Sequence, residues 1–160
     1  MIAVYVELLR SIRFLSALSD EDLSAFAALL KAKEHKAGER ILEEGSAPDS
    51  FSIVCDGVVH VRRRANSREM LMGRIGAGGF FGEINLFDPG VATATIVAMK
   101  TVQLAVISYA DFRQFMEERP RAGYQIASGL MRELAQRLRA TNNRLVNAVF
   151  WSSDKSDEPA

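Results

Sequence analysis

The chain has 160 residues, 48% of them hydrophobic and 25% charged, which suits one globular domain with a sizeable core. Its 20 Lys and Arg balance its 20 Asp and Glu, so no global field recruits nucleic acid or an anionic membrane. A lone cysteine, Cys55, excludes an intramolecular disulfide. It lies in an apolar run, where it reads as a structural thiol.

In chain order, the first seven residues are too short and too soon charged for a signal peptide, and no apolar run approaches the roughly 20 residues of a membrane helix. A cytoplasmic protein is expected. Residues 5–18 place Leu8, Leu9, Ile12, Leu15 and Leu18 at helical spacing, predicting a first helix. Ser19 is a natural N-cap for a second, with Asp22 three residues on and Leu23, Phe26, Ala27 and Leu30 along one face. From Lys36 the pattern becomes short apolar runs broken by turn residues. Strands are predicted at Ile41–Leu42, 51–55, 58–61, 70–75, 93–98 and 102–107, as in a barrel or jelly roll. Ser108 caps a helix that ends near Arg119, and Pro120 suits the first turn of the next. That last helix, about 121–149, carries Ala127, Met131, Leu134, Leu138, Thr141, Leu145 and Ala148 at alternating spacings of four and three. Such a heptad seam favours a parallel homodimer through residues 127–148 over packing on the barrel alone. The polar, acidic tail, 151–160, is expected to be disordered.

The most informative stretch runs from Phe80 to Ile96. Gly76, Gly78, Gly79 and Gly82 allow sharp turns and close approach of backbone to a ligand. Glu83 opens an apolar run to Phe87, long enough for about one helical turn, which Asp88-Pro89-Gly90 stops. Free N–H groups at the start of a short helix, with hydroxyls nearby, form a generic anion-binding arrangement.

The segment Phe81-Gly82-Glu83-Ile84-Asn85-Leu86, followed by Thr93-Ala94-Thr95-Ile96, resembles the phosphate-binding cassette of the cyclic-nucleotide-binding domain family. The likeness covers about residues 8–150, including Gly38-Glu39, Glu44-Gly45 and Asp56-Gly57. It implies an α+β domain over residues 1–150: a β jelly-roll barrel (about 33–107), N-terminal helices and a long C-terminal dimerisation helix. It also implies a ligand site of Gly82, Glu83, Ile84, Asn85, Ala92, Thr93 and Ala94, with Glu83 accepting from the ribose 2′-hydroxyl and Thr93 beside the phosphate. Thr141 and Asn142 fall where activator-type members meet the adenine; a polar break that sets the seam's register is the equal alternative.

One position departs from the pattern. Ala92 stands where the family's arginine neutralises the cyclic phosphate, and the turn before it is about one residue short. A hydrogen bond to a charged group contributes about 1.5–3 kcal/mol, so its loss weakens binding roughly 10- to 150-fold. Cyclic AMP or cyclic GMP is therefore expected to bind weakly. Arg74 and the cluster Arg62-Arg63-Arg64 are candidate substitutes for the missing cation, and Asn85 a residue that crowds the pocket.

Enzymatic readings lack support. His35 and His60 lie on different elements with no H-x-H pair, so no metal is expected, and Ser52 and Ser108 have no paired base. The glycines do not form G-x-G-x-x-G. Activator-type relatives carry a helix-turn-helix after the dimer helix, and only about ten acidic residues follow here, so no specific DNA binding is expected. The reading is a stand-alone sensor domain with a downstream protein partner; the alternative is a ligand-free dimerisation module.

Overall fold

Two four-stranded antiparallel sheets share one core between them, and the helices cover the outer face of only one. The computed structural model describes residues 2–154. Its elements are α1 (Ile2–Ser11), α2 (Asp20–Leu29), β1 (Lys31–His35), β2 (Arg40–Leu42), β3 (Ser50–Asp56), β4 (Val59–Ala65), β5 (Arg68–Ile75), β6 (Phe80–Phe81), α3 (Glu83–Phe87), β7 (Thr95–Ala98), β8 (Val102–Ser108), α4 (Tyr109–Glu118) and α5 (Pro120–Asp154). One sheet is ordered β1-β8-β3-β6 and the other β2-β7-β4-β5. Strands thus occupy 31–108, and the fold is the expected jelly-roll-like α+β arrangement.

The central strands β3 and β8 of the first sheet are buried on both faces, with successive side chains pointing opposite ways. Val54, Val102, Leu104 and Val106 face the second sheet, where they meet Val59, Ile96 and Ala98. Phe51, Ile53, Ala105 and Ile107 face the helices. There Phe14, Phe51, Phe80, Phe112, Phe26 and Phe115 form a run of edge-on and stacked rings with centroids 4.9–5.9 Å apart. Each such pair adds about 0.5–1.5 kcal/mol beyond burial.

Local signals explain the helix boundaries. Ser19 and Ser108 each accept from the backbone N–H three residues on, at 3.1 and 3.0 Å, and so cap α2 and α4. Pro120 opens α5. The predicted first helix is different: α1 stops at Ser11, and Leu9 to Leu18 continue as consecutive turns with bonds from Ile12 to Leu9, Leu15 to Ile12 and Leu18 to Leu15. A three-residue repeat still buries Ile12, Leu15 and Leu18, which is why the spacing reads as helix. Two strands, β1 and β6, were not expected. β1 is a charged edge strand with no apolar alternation, and β6 has only two residues. The β4–β5 hairpin turns at Asn66 and Ser67, φ +49° and +66°, as a two-residue hairpin requires. At the C-terminus α5 extends to Asp154, so Trp151–Asp154 belong to the helix rather than the tail; the rest of that tail, 155–160, lies outside the described residues.

α5 packs by its first half. Ala122, Ile126 and Leu130 are buried four residues apart, and a Cβ on Gly129 would stand 2.7 Å from Phe14 Cα, so only glycine allows this approach. Beyond that, Met131, Leu138 and Leu145 of the seam are 61–70% exposed.

Candidate functional site

The loop from Phe80 to Thr95 wraps a cavity of about 170 Å3 between the end of the second sheet and α5. Gly82, Glu83, Ile84, Asn85, Ala92, Thr93 and Ala94 line it together, over an apolar floor of Leu42, Val61, Ile75 and Ile96. Thr141 and Asn142 are exposed on α5 and are not among the lining residues.

Gly82 is what turns the chain into α3. Its φ of +90° suits glycine, and a Cβ there would lie 2.7 Å from the Ser50 carbonyl oxygen. The Tyr109 hydroxyl donates to the Gly82 carbonyl at 2.7 Å, fixing the turn from behind. Burial, then the nearby Glu83 and Asp49 charges, push the Tyr109 hydroxyl up to about 12, so it remains a donor at neutral pH. At the other end of α3, Arg113 donates to the Leu86 carbonyl at 3.0 Å, satisfying a helix-terminal acceptor.

Glu83 is buried, with 6% of its side chain exposed, and Arg137 donates to its Oε1 at 2.6 Å. The same guanidinium lies 4.9 Å from the centre of the Phe80 ring. Arg137 therefore joins the middle of α5 to the loop, and among the described residues it is the one arginine lining the cavity. Sequence reasoning missed it. Its only local signal is its place one helical turn before Thr141. The arginines put forward instead are engaged elsewhere: Arg62 with Glu69 at 3.6 Å and Arg63 with Glu44 at 3.8 Å, while Arg74 lies opposite His60 on the β4–β5 hairpin. None of these lines the cavity.

The opposite wall is apolar. Ala92 is 3% exposed, and its backbone is held at both ends, donating to the Ser46 carbonyl at 2.7 Å and accepting from Gly45 N–H at 2.8 Å. Asn85 donates its amide to the carbonyls of Val91 at 3.2 Å and Asp88 at 3.5 Å, spanning the turn between them from within. Thr93 is exposed at the cavity edge, whereas Thr95 is buried and bonds to the Glu44 N–H at 3.0 Å. Cys55 packs against the core, and burial raises its thiol above the usual range. No cluster of metal-ligating side chains occurs among the described residues, and no described helix is long and apolar enough to cross a membrane.

Comparison with known proteins places this loop in context. The profile of the cyclic nucleotide-binding domain matches residues 32–119. A CRP-like cAMP-activated global transcriptional regulator of Mycobacterium tuberculosis is 34% identical over 131 residues, covering 79% of this chain and 57% of the regulator. The chain thus spans little more than half the length of that regulator. Among solved structures, the N-terminal domain of a transcriptional regulator from Streptomyces coelicolor superposes with a TM-score of 0.71 at 29% identity, covering 86% of this chain and 94% of that one. A cyclic nucleotide-binding domain from Methylobacillus flagellatus gives 0.81 at 22% identity, covering 92% and 83%.

Proposed function

This chain belongs to the cyclic nucleotide-binding domain family, and we propose that it is a non-catalytic sensor module whose cassette binds cyclic AMP or cyclic GMP weakly. The observation that carries the reading is the pairing of a built Glu83 wall with a bare Ala92 wall. Glu83, held by Arg137, offers a buried acceptor for a ribose hydroxyl. Position 92 offers a phosphate no charge, and alanine cannot replace the two parallel bonds of a guanidinium. Arg137 is the cation nearest to hand, but Glu83 already engages it. The cavity of about 170 Å3 is also below the ~300–1,000 Å3 of ordinary ligand pockets, so a nucleotide must displace side chains to enter.

The test is calorimetric titration with cyclic AMP and cyclic GMP. The wild type should bind feebly or not at all at micromolar ligand. Ala92→Arg should tighten binding about tenfold or more through one restored charged contact. Glu83→Ala in that background should remove much of the gain. Tight binding by the wild type overturns the weak-sensor reading.

A second reading, a dimerisation module without a ligand, is favoured by the exposed seam of α5; undetectable binding by Ala92→Arg would select it. In both, a second copy of the chain covers Met131, Leu138 and Leu145, a downstream protein receives the signal, and the setting is cytoplasmic. No DNA recognition is assigned to this module, whose charges balance.

A further inference from the structure

A dimer joined along the seam would still leave a second stripe of α5 bare. Arg132, Arg139 and Val146 recur at intervals of seven residues, and Phe150 follows Val146 by one turn. The first three directly follow the seam residues Met131, Leu138 and Leu145, so they lie about 100° further round the helix. All four are exposed, Val146 at 66% and Phe150 at 64%. Buried Leu130 comes two residues before Arg132, about 200° away, so the stripe looks away from the helix layer. Scattered surface apolar residues are ordinary, but here two sit one turn apart, in line with two cations.

The charges on this part of α5 are one-sided. From Gln136 to Ser152 it carries Arg137, Arg139 and Arg144 and no acid, in a chain whose charges balance. Arg137 is taken by Glu83. Arg132 and Arg139 have no ion pair among the described residues.

That polarity decides what can cover the stripe. Another α5 laid against it would bring arginine to arginine, and like charges across a helix contact repel. A phosphate backbone would engage the arginines and leave Val146 and Phe150 bare. A flat lipid surface calls for no seven-residue repeat. A helix does, and it meets this stripe when carboxylates flank its own apolar seam.

We propose that the stripe of Arg132, Arg139, Val146 and Phe150 is the docking site for an acidic amphipathic helix of a partner protein. The two α5 helices and two such helices would form a four-helix bundle, in which each helix meets its two neighbours at roughly a right angle. The proposal rests on the reading of this chain as a dimeric module that hands its signal to another protein. Arg139 stands two residues past Arg137, whose bond to Glu83 holds α5 against the cassette, so the docking stripe runs past the cassette contact.

The test is fluorescence anisotropy, without nucleotide, using a fluorescein-labelled helical peptide of about three heptads, Leu at a and d and Glu at e and g. Wild type should bind it about three- to tenfold more tightly than the analogue with Gln for Glu, as two exposed charge pairs allow. Arg132→Gln with Arg139→Gln should erase that preference, and Val146→Glu should abolish binding, both variants keeping the sedimentation of wild type. No binding at millimolar peptide, an unchanged preference in the double variant, or full binding by Val146→Glu would each overturn the proposal. So would capture by phosphatidylglycerol vesicles that the acidic peptide does not compete away. A failure of nucleotide binding leaves this result untouched. If wild type sediments as a monomer, the dimer reading fails, and the Val146→Glu titration still decides the stripe.

Discussion

The two halves of α5 are built from similar residues and end in opposite situations. In the first half, Ala122, Ile126 and Leu130 sink into the helix layer and Gly129 rests on Phe14. From Gln136 to Ser152 every residue is exposed, although Leu138, Leu145, Val146, Val149, Phe150 and Trp151 are as apolar as those buried before them. This second half alone projects about 25 Å at 1.5 Å per residue. The buried stripe repeats every four residues and the bare one alternates four and three, the signature of a helix meeting another helix. A helical pattern thus states that a face must be covered, not what covers it. Arg137 stands where the halves meet and ties that junction to Glu83.

The largest effect should come from breaking the second half. In a dimer joined by the seam, Leu138→Asp places two carboxylates at the centre of the interface, at a cost of several kcal/mol, or more than about 100-fold in dissociation constant. Sedimentation velocity should find wild type dimeric at tens of micromolar and the variant monomeric, with the melting of the monomer little changed. A wild type already monomeric there removes the contrast between the halves. The first half should answer through stability instead. Ile126→Ala leaves a cavity in the core and should cost about 2–5 kcal/mol, on the order of 10 °C in Tm. If it melts like wild type, the packing of α5 on the helix layer is not as described.

The same contrast governs what could be read from sequence. Features set by neighbouring residues were legible: the caps at Ser19 and Ser108, the start of α5 at Pro120, and the single turn from Glu83 to Phe87. So was the grouping of Gly82 to Asn85 with Ala92 to Ala94, which came from the resemblance rather than from any pattern. Features set by distant chain were not. Arg137 reaches Glu83 across 54 positions, and nothing local to either residue announces the pair. β1 was hidden because a charged edge strand exposes both faces and loses its two-residue period.

The junction itself should show an intermediate effect. Arg137→Met removes the guanidinium from over Phe80 and leaves Glu83 buried without its partner, costing roughly 1–3 kcal/mol. The loss should vanish in the double variant Glu83→Gln with Arg137→Met, because a neutral amide is cheaper to bury than a carboxylate. Equal stability of Arg137→Met and wild type in thermal melts would mean that the pair contributes nothing to holding the cassette against α5.

The smallest effect concerns the base of α5. Arg119, just before Pro120, donates to Asp22 at 2.6 Å and to Glu21 at 3.3 Å, stapling α2 to the start of the long helix. The Arg119 bond, followed by the Ser19 hydroxyl, holds the Asp22 carboxyl below its ordinary value of 3.8. A depressed folded value means that the unfolded chain takes up the proton first. The stabilisation is therefore complete above about pH 4 to 5 and is lost as pH falls through the folded value. Because both partners are partly exposed, its size should be only about 0.2–1 kcal/mol. Asp22→Asn should lower Tm by a few degrees at most at pH 7, and the gap from wild type should narrow as pH falls below the ordinary carboxyl value of 3.8. A gap that stays constant as pH falls through the acid range would assign the effect to the geometry of the α2 cap, leaving the charge pair with no part in anchoring α5.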